Sequence, residues 1–199
     1  MVDPRGPYRT HELHHDVFSD DECDRIVALG ATLQTDHGGL EGDDGLIADP
    51  TLRTAEIAWM PPSPDSEWIF ERLATVVADA NERYGFALSG FDEELQFTTY
   101  GREGAFYTWH QDGLDGPVAH RKLSLVVQLS DPATYQGCDL DLFQVVADHE
   151  GDELAEIHQE ARRRGTVVVF PAFEYHRVTE LRSGVRRSLV SWVSGPPFR

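Results

Sequence analysis

Three residues of this chain have the types and the spacing needed to hold a redox-active metal. His110 and Asp112 lie two apart in Tyr107-Thr-Trp-His-Gln-Asp112. In an extended strand, side chains two apart point to the same face. His176 follows Phe170-Pro-Ala-Phe-Glu-Tyr175 further along. Two imidazoles and one carboxylate on neighbouring strands make the facial triad that suits non-haem Fe(II), leaving three coordination positions open for a co-substrate and O₂. His-x-Asp alone recurs by chance in many chains. Its plainest reading is a surface histidine beside a turn aspartate.

The stretch after His176 adds a second chemical group. Arg186 lies ten residues downstream, beyond a turn at Gly184. In Val185-Arg-Arg-Ser-Leu-Val-Ser-Trp-Val193, strand alternation places Arg186, Ser188, Val190 and Trp192 on one face and Arg187, Leu189 and Ser191 on the other. An inward arginine is costly unless it meets an anion. A guanidinium fork fits a carboxylate through two parallel hydrogen bonds. The plainer alternative is an ion pair with a structural Asp or Glu, and this acidic chain offers many.

These residues need strands to position them. From about residue 91 the pattern has period two, with candidate strands at 94–100, 106–112, 121–130, 139–145, 166–170, 175–181 and 186–193. Before it, Ser19-Asp-Asp-Glu22 reads as a capping box, with Cys23, Ile26, Val27 and Leu29 at helical spacing behind it. A second helix is expected from near Pro64 or Asp65. Its apolar stripe runs through Trp68, Ile69, Leu73, Val76, Val77, Ala80 and Tyr84, and Gly85 is the stop. The Gly- and Asp-rich stretch 37–49 reads as a mobile loop, and polar residues 146–164 as a long loop, a short strand near 154–157, or both. The expected fold is α+β but mainly β. It is a double-stranded β-helix, or jelly roll, over about 91–199, buttressed by helices within 1–90 in one domain spanning 1–199.

Composition excludes several function classes. Asp and Glu number 35 against 17 Lys and Arg, a formal net charge of −18. Such a surface repels phosphate backbones and anionic lipids, so neither nucleic acid nor membrane is expected as a partner. Apolar runs such as Thr166–Phe170 are strand-sized. Met1-Val-Asp-Pro-Arg-Gly-Pro7 lacks the apolar core of a secretory signal. Two cysteines, Cys23 and Cys138, make neither a disulfide framework nor a zinc cluster. The expected location is the reducing cytoplasm.

Several motifs occur in order: Tyr100, His110-Gln-Asp112, Arg121-Lys-Leu-Ser-Leu-Val-Val-Gln-Leu-Ser-Asp-Pro132, Tyr135-Gln-Gly-Cys-Asp-Leu140, Gly165-Thr-Val-Val-Val-Phe-Pro171, His176-Arg-Val-Thr179 and Gly184-Val-Arg186. This ordered set resembles the prolyl 4-hydroxylase-like branch of the Fe(II)/2-oxoglutarate-dependent dioxygenases, over roughly residues 91–199. The resemblance implies that His110, Asp112 and His176 ligate iron and that Arg186 binds the distal carboxylate of 2-oxoglutarate. It implies that Tyr100 lines the 2-oxoglutarate pocket and that Trp192 forms an aromatic wall beside it. Ser188 is a further candidate for a hydrogen bond to the co-substrate. Gln128 stands where several relatives have a tyrosine that helps hold the distal carboxylate, which puts its own contact in doubt. Cys138 replaces a glycine common at that turn.

The implied activity is hydroxylation of an unactivated C–H bond, with succinate and CO₂ as co-products and ascorbate left open as an accessory. Because the carboxylate ligand Asp112 is present, hydroxylation is favoured over halogenation; ring formation and desaturation stay open. The substrate is an amino acid or other small metabolite, or alternatively a prolyl or other residue of a protein. Two readings of other classes compete: a non-catalytic jelly-roll sensor or metal-binding domain, and a cupin-like isomerase or lyase that needs no keto acid. His11, His14 and His15, and His149 and His158, read most simply as solvated histidines. His120 lies in the loop after Asp112, where it could cover a substrate.

Overall fold

The computed structural model describes residues 7–37, 40–42, 45–47 and 50–198, and at 36, 37, 40–42 and 45–47 the backbone alone. In chain order the elements are β1 (Glu12–His14), α1 (Asp20–Gly30), β2 (Thr35–His37), β3 (Leu40–Gly42), β4 (Gly45–Ile47), β5 (Glu56–Met60), α2 (Glu67–Tyr84), β6 (Leu95–Tyr100), β7 (Tyr107–His110), β8 (Arg121–Gln128), β9 (Tyr135–Gly137), β10 (Leu140–Leu142), α3 (Phe143–Asp148), α4 (Gly151–Ala161), β11 (Val167–Pro171), β12 (His176–Val178), β13 (Leu181–Gly184) and β14 (Arg186–Ser194). The large sheet has the order β1-β11-β8-β14-β6-β5-β2, and a smaller one the order β10-β12-β7. Two pairs, β13-β9 and β3-β4, stand beside them. Every pairing in the two main sheets is antiparallel.

Alternation along the central strands divides the core in two. Leu123, Leu125 and Val127 of β8, Val167 and Val169 of β11, and Leu189 and Val193 of β14 share one buried cluster with Ile26 of α1 and Ile69, Leu73, Val76, Val77 and Ala80 of α2. The opposite face gives Val126, Val168 and Phe170 to a second cluster, with Leu140, Leu142 and Val178 of the small sheet. Each such side chain contributes roughly 1.5–3 kcal/mol when fully buried. The result is a mostly β sandwich of the jelly-roll type, with one face of its large sheet against α1 and α2.

The helices form for local reasons. Ser19 and Glu22 make the capping box at the start of α1, and Arg72 of α2 reaches back to Glu22 at 2.9 Å. α2 ends at Gly85, whose φ of 69° is the left-handed conformation that glycine adopts without strain.

Three sequence expectations are corrected. The strand expected at 139–145 is only Leu140–Leu142, after which the chain turns into α3. Residues 151–161 are helical, neither loop nor strand: Leu154, Ile157 and Ala161 fall on one face and pack on the second cluster. The first part of the chain is not only helical, because β1, β2 and β5 join the large sheet. Within the expected loop 37–49, β3 and β4 pair as a short hairpin, while 38, 39, 43, 44, 48 and 49 lie outside the described residues. Among the described residues no helix is long and apolar enough to cross a membrane.

Candidate metal centre

The register of the small sheet brings the two histidines together. β12 pairs with β7 so that His176 lies directly opposite His110. Their rings are 4.1 Å apart, centroid to centroid. The chain leaves β7 at once, and the backbone N–H groups of Asp112 and Gly113 both donate to the Ala172 carbonyl, at 3.0 and 2.9 Å. That turn points the Asp112 carboxylate between the rings: Oδ1 is 3.5 Å from His110 Nε2, and Oδ2 is 3.4 Å from His176 Nε2. One potential ligand atom from each residue lies within 4.8 Å of the others.

Hydrogen bonds fix which atoms face inward. His110 Nδ1 lies 2.8 Å from the Thr108 carbonyl, and His176 Nδ1 lies 2.9 Å from the Glu174 carbonyl. A carbonyl can only accept, so each Nδ1 carries a proton and each Nε2 is the ring nitrogen that faces Asp112. Ser124 donates its hydroxyl proton to Asp112 Oδ2 at 2.6 Å. Burial alone would push the Asp112 carboxyl up; the two histidines and the Ser124 hydroxyl outweigh it and hold the group well below the usual carboxylate range. Burial, with His110 beside it, lowers His176 to about 4 despite the opposing pull of Asp112. A neutral His176 imidazole and an ionised Asp112 carboxylate are protonation states that a divalent metal requires.

One cavity, about 540 Å³ in volume, is lined by His110, Asp112 and His176 and also by Arg186. Its side chain is 1% exposed, and among the described residues no carboxylate lies within ion-pair distance of it. Arg186 donates from Nη2 to Gln128 Oε1 at 3.0 Å, while its Nε has no partner among the described residues. Tyr100 lies opposite Arg186 in the β14–β6 register, with its ring 5.4 Å from the guanidinium carbon. Burial pushes the Tyr100 phenol far up, so it remains a hydrogen-bond donor. Ser188 and Trp192 line the cavity as strand alternation requires. Gln128 sits behind Arg186 and is not a wall of the cavity. Arg187 is on the helix-facing side of β14, half-buried.

These residues fit Fe(II) and a keto-diacid. The histidine–aspartate group offers one carboxylate and two imidazole nitrogens, and a buried cation with an unsatisfied N–H faces the same space. Sequence reading did not find Arg53, Trp59, Glu93, Gln96 or Arg121, which also line the cavity. Arg53 and Trp59 come from β5 and the segment before it, outside the strand pattern that begins near residue 91. His120 is not a wall of the cavity; its ring lies 3.5 Å from the Glu93 carboxylate. His14 and His149 line a separate, more open hollow.

Residues 95–194 match the family model of the 2OG-Fe(II) oxygenase superfamily. The chain belongs to this superfamily. A PKHD-type hydroxylase from Caulobacter sp. (strain K31) is 29% identical over 119 residues, covering 60% of this chain and 44% of that protein. Another from Parvibaculum lavamentivorans is 31% identical over 91 residues, 46% of this chain and 37% of its own length. The chain thus spans less than half the length of these relatives. A prolyl-4-hydroxylase from Pseudomonas putida superposes with a TM-score of 0.65 at 20% identity, covering 94% of this chain and 93% of that chain. A Trichoplax adhaerens prolyl hydroxylase, solved with a hypoxia inducible factor peptide fragment, gives 0.71 at 14% identity, covering 93% and 83%. At these identities the structural likeness is one of fold.

Proposed function

We propose that this superfamily member is an Fe(II)- and 2-oxoglutarate-dependent hydroxylase acting on an amino acid or other small metabolite. The observation that carries the reading is a single cavity holding the His110–Asp112–His176 group and a buried Arg186 that has no carboxylate partner among the described residues. His110, Asp112 and His176 hold the metal, and Arg186 holds the distal carboxylate of 2-oxoglutarate, with Ser188 and Tyr100 as further hydrogen-bond donors. When bound there, Fe(II) and 2-oxoglutarate supply the oxidising power to insert one atom of O₂ into a C–H bond, with succinate and CO₂ released. Tyr107, stacked on His110 with ring centroids 3.6 Å apart, and Phe170, edge-on to His176, shield the ligand rings from water. Trp192 and Trp59, whose rings are 6.2 Å apart, wall the cavity. Residues 1–90 support the 91–199 core as one catalytic unit. The buried thiols of Cys23 and Cys138 suit a reducing compartment such as the cytoplasm.

A second reading, hydroxylation of a prolyl residue in a peptide, is favoured by the prolyl hydroxylases among the structural neighbours. One assay tests both. Reconstituted with Fe(II), 2-oxoglutarate and O₂, the protein is offered amino acids, metabolites and proline-containing peptides. Succinate release matched by a gain of one oxygen atom in one compound identifies the substrate class. Absence of any succinate above that of an Asp112→Ala variant refutes the enzyme reading.

A further inference from the structure

Arg121 occupies a position that strand alternation would deny it. Leu123, Leu125 and Val127 of β8 face the helices, so residue 121 should face them too. The β14–β8 register shifts between Val193 and Ser194, where Ser194 pairs with Arg121. A bulge of this kind re-aims a side chain, and Arg121 lines the cavity instead. Lys122, which alternation would send inward, places its ammonium over the Phe198 ring, 3.4 Å from the centroid.

Once there, the guanidinium uses every edge and one face. Nε donates to Glu93 Oε1 at 2.6 Å, and Nη2 donates to Glu93 Oε2. Nη1 donates to the backbone carbonyl of Asp112 at 3.2 Å. The plane lies over Trp192, 3.8 Å from the ring centroid. The loop leaving Asp112 is closed against the same residue: a Cβ on Gly113 would come within 2.7 Å of Arg121 Cβ and 2.9 Å of its carbonyl oxygen. Asp112 is therefore held at three points, by Ala172 at its N–H, by Ser124 at its carboxylate and by Arg121 at its carbonyl.

We infer that Arg121, anchored by Glu93, is a positioning residue that sets the Asp112 ligand and the Trp192 wall together, so that the metal and 2-oxoglutarate pockets are aligned through one side chain. The inference rests on the iron and 2-oxoglutarate reading of the site. Glu93 lies between α2 and β6, outside the ligand-bearing strands; it lines the cavity itself, faces His120 at 3.5 Å and makes no contact with Asp112, His110 or His176 except through Arg121 among the described residues. A lysine at 121 keeps the charge but cannot make the fork to Glu93, the bond to Asp112 and the stack on Trp192 at once.

The test is Mn(II) affinity, measured as loss of the free-ion electron paramagnetic resonance signal, with 2-oxoglutarate affinity then measured at saturating Mn(II). Partners that orient a metal ligand typically change metal affinity about 10- to 100-fold. Arg121→Gln and Arg121→Lys are both expected to weaken Mn(II) binding by at least about tenfold, and to weaken 2-oxoglutarate binding as well. Glu93→Gln should shift both constants in the same direction by a smaller factor. Glu93→Gln combined with Arg121→Gln should be no worse than Arg121→Gln alone, because coupled residues are not additive. Melting temperature without metal serves as the structural readout. Lower melting temperatures with unchanged Mn(II) and 2-oxoglutarate affinities would overturn the inference. If the Arg121 variants do not fold, Glu93→Gln decides: wild-type affinities there overturn it equally. Failure of the wild-type protein itself to bind Mn(II) would instead refute the metal-site reading beneath it.

Discussion

The two faces of β14 are built from neighbouring residues and obey different rules. Leu189 and Val193 lie in the cluster that contains the two N-terminal helices, among aliphatic and aromatic side chains. Arg186, Ser188 and Trp192 are as deeply buried on the other face, yet Arg186 Nε and Trp192 Nε1 have no hydrogen-bond partner among the described residues. Nearly all buried polar groups in folded proteins are paired, so an unpaired N–H on a buried cation calls for an anion. Among the described residues the helix-facing side also leaves a buried hydroxyl unpaired, that of Ser191, whereas the cavity side leaves unpaired an N–H of a buried cation. The comparison teaches that neither burial nor an unpaired polar atom by itself separates stability from function; a buried charge with an unpaired N–H does.

If that division holds, substitutions on the two faces should separate cleanly in their effects. The largest effect is expected at Asp112. Asp112→Ala removes the one carboxylate between the two imidazoles, and Mn(II) or Fe(II) binding should fall below detection by calorimetry while the fold persists. Next is Leu73→Ala on α2, fully buried in the helix-facing cluster. It should cost about 2–5 kcal/mol of stability in urea unfolding and leave 2-oxoglutarate affinity almost unchanged in the folded fraction. A selective loss of that affinity would contradict the supporting role given to the helices. Smaller still is Ser124→Ala, which removes the hydrogen bond to Asp112 Oδ2. Metal affinity should drop about 10- to 100-fold, or roughly 1.4–2.7 kcal/mol, with little change in melting temperature.

How much of this was legible in the sequence depended on the kind of signal. His110, Asp112, His176 and Arg186 could be read because type and spacing coincide: two residues apart on one strand face, or ten apart across a glycine turn. The faces of β14 followed from alternation, and the main strands were found with ends shifted by a few residues. β5 was not read, because its five residues are followed by Pro61 and Pro62 and preceded by the Gly- and Asp-rich stretch, which drew attention to turns. α4 did carry a readable signal, since Leu154, Ile157 and Ala161 share a helical face behind an acidic first turn; the dense charge around them hid it. Arg121 could not have been read at all. A register shift decides which way it points, and a shift of that kind depends on the partner strand, not on local composition.

The most direct test of the account is 2-oxoglutarate binding, with Mn(II) in place of Fe(II), to wild-type protein, Arg186→Gln and Arg187→Gln. These two arginines are adjacent in sequence and lie on opposite faces of one strand. Removing one member of a buried ion pair costs about 3–5 kcal/mol, or roughly a hundred- to several-thousand-fold in affinity. The account predicts a loss of that size for Arg186→Gln with Mn(II) affinity retained, and nearly wild-type binding for Arg187→Gln. Equal losses in the two variants, or a larger loss at Arg187, would contradict it.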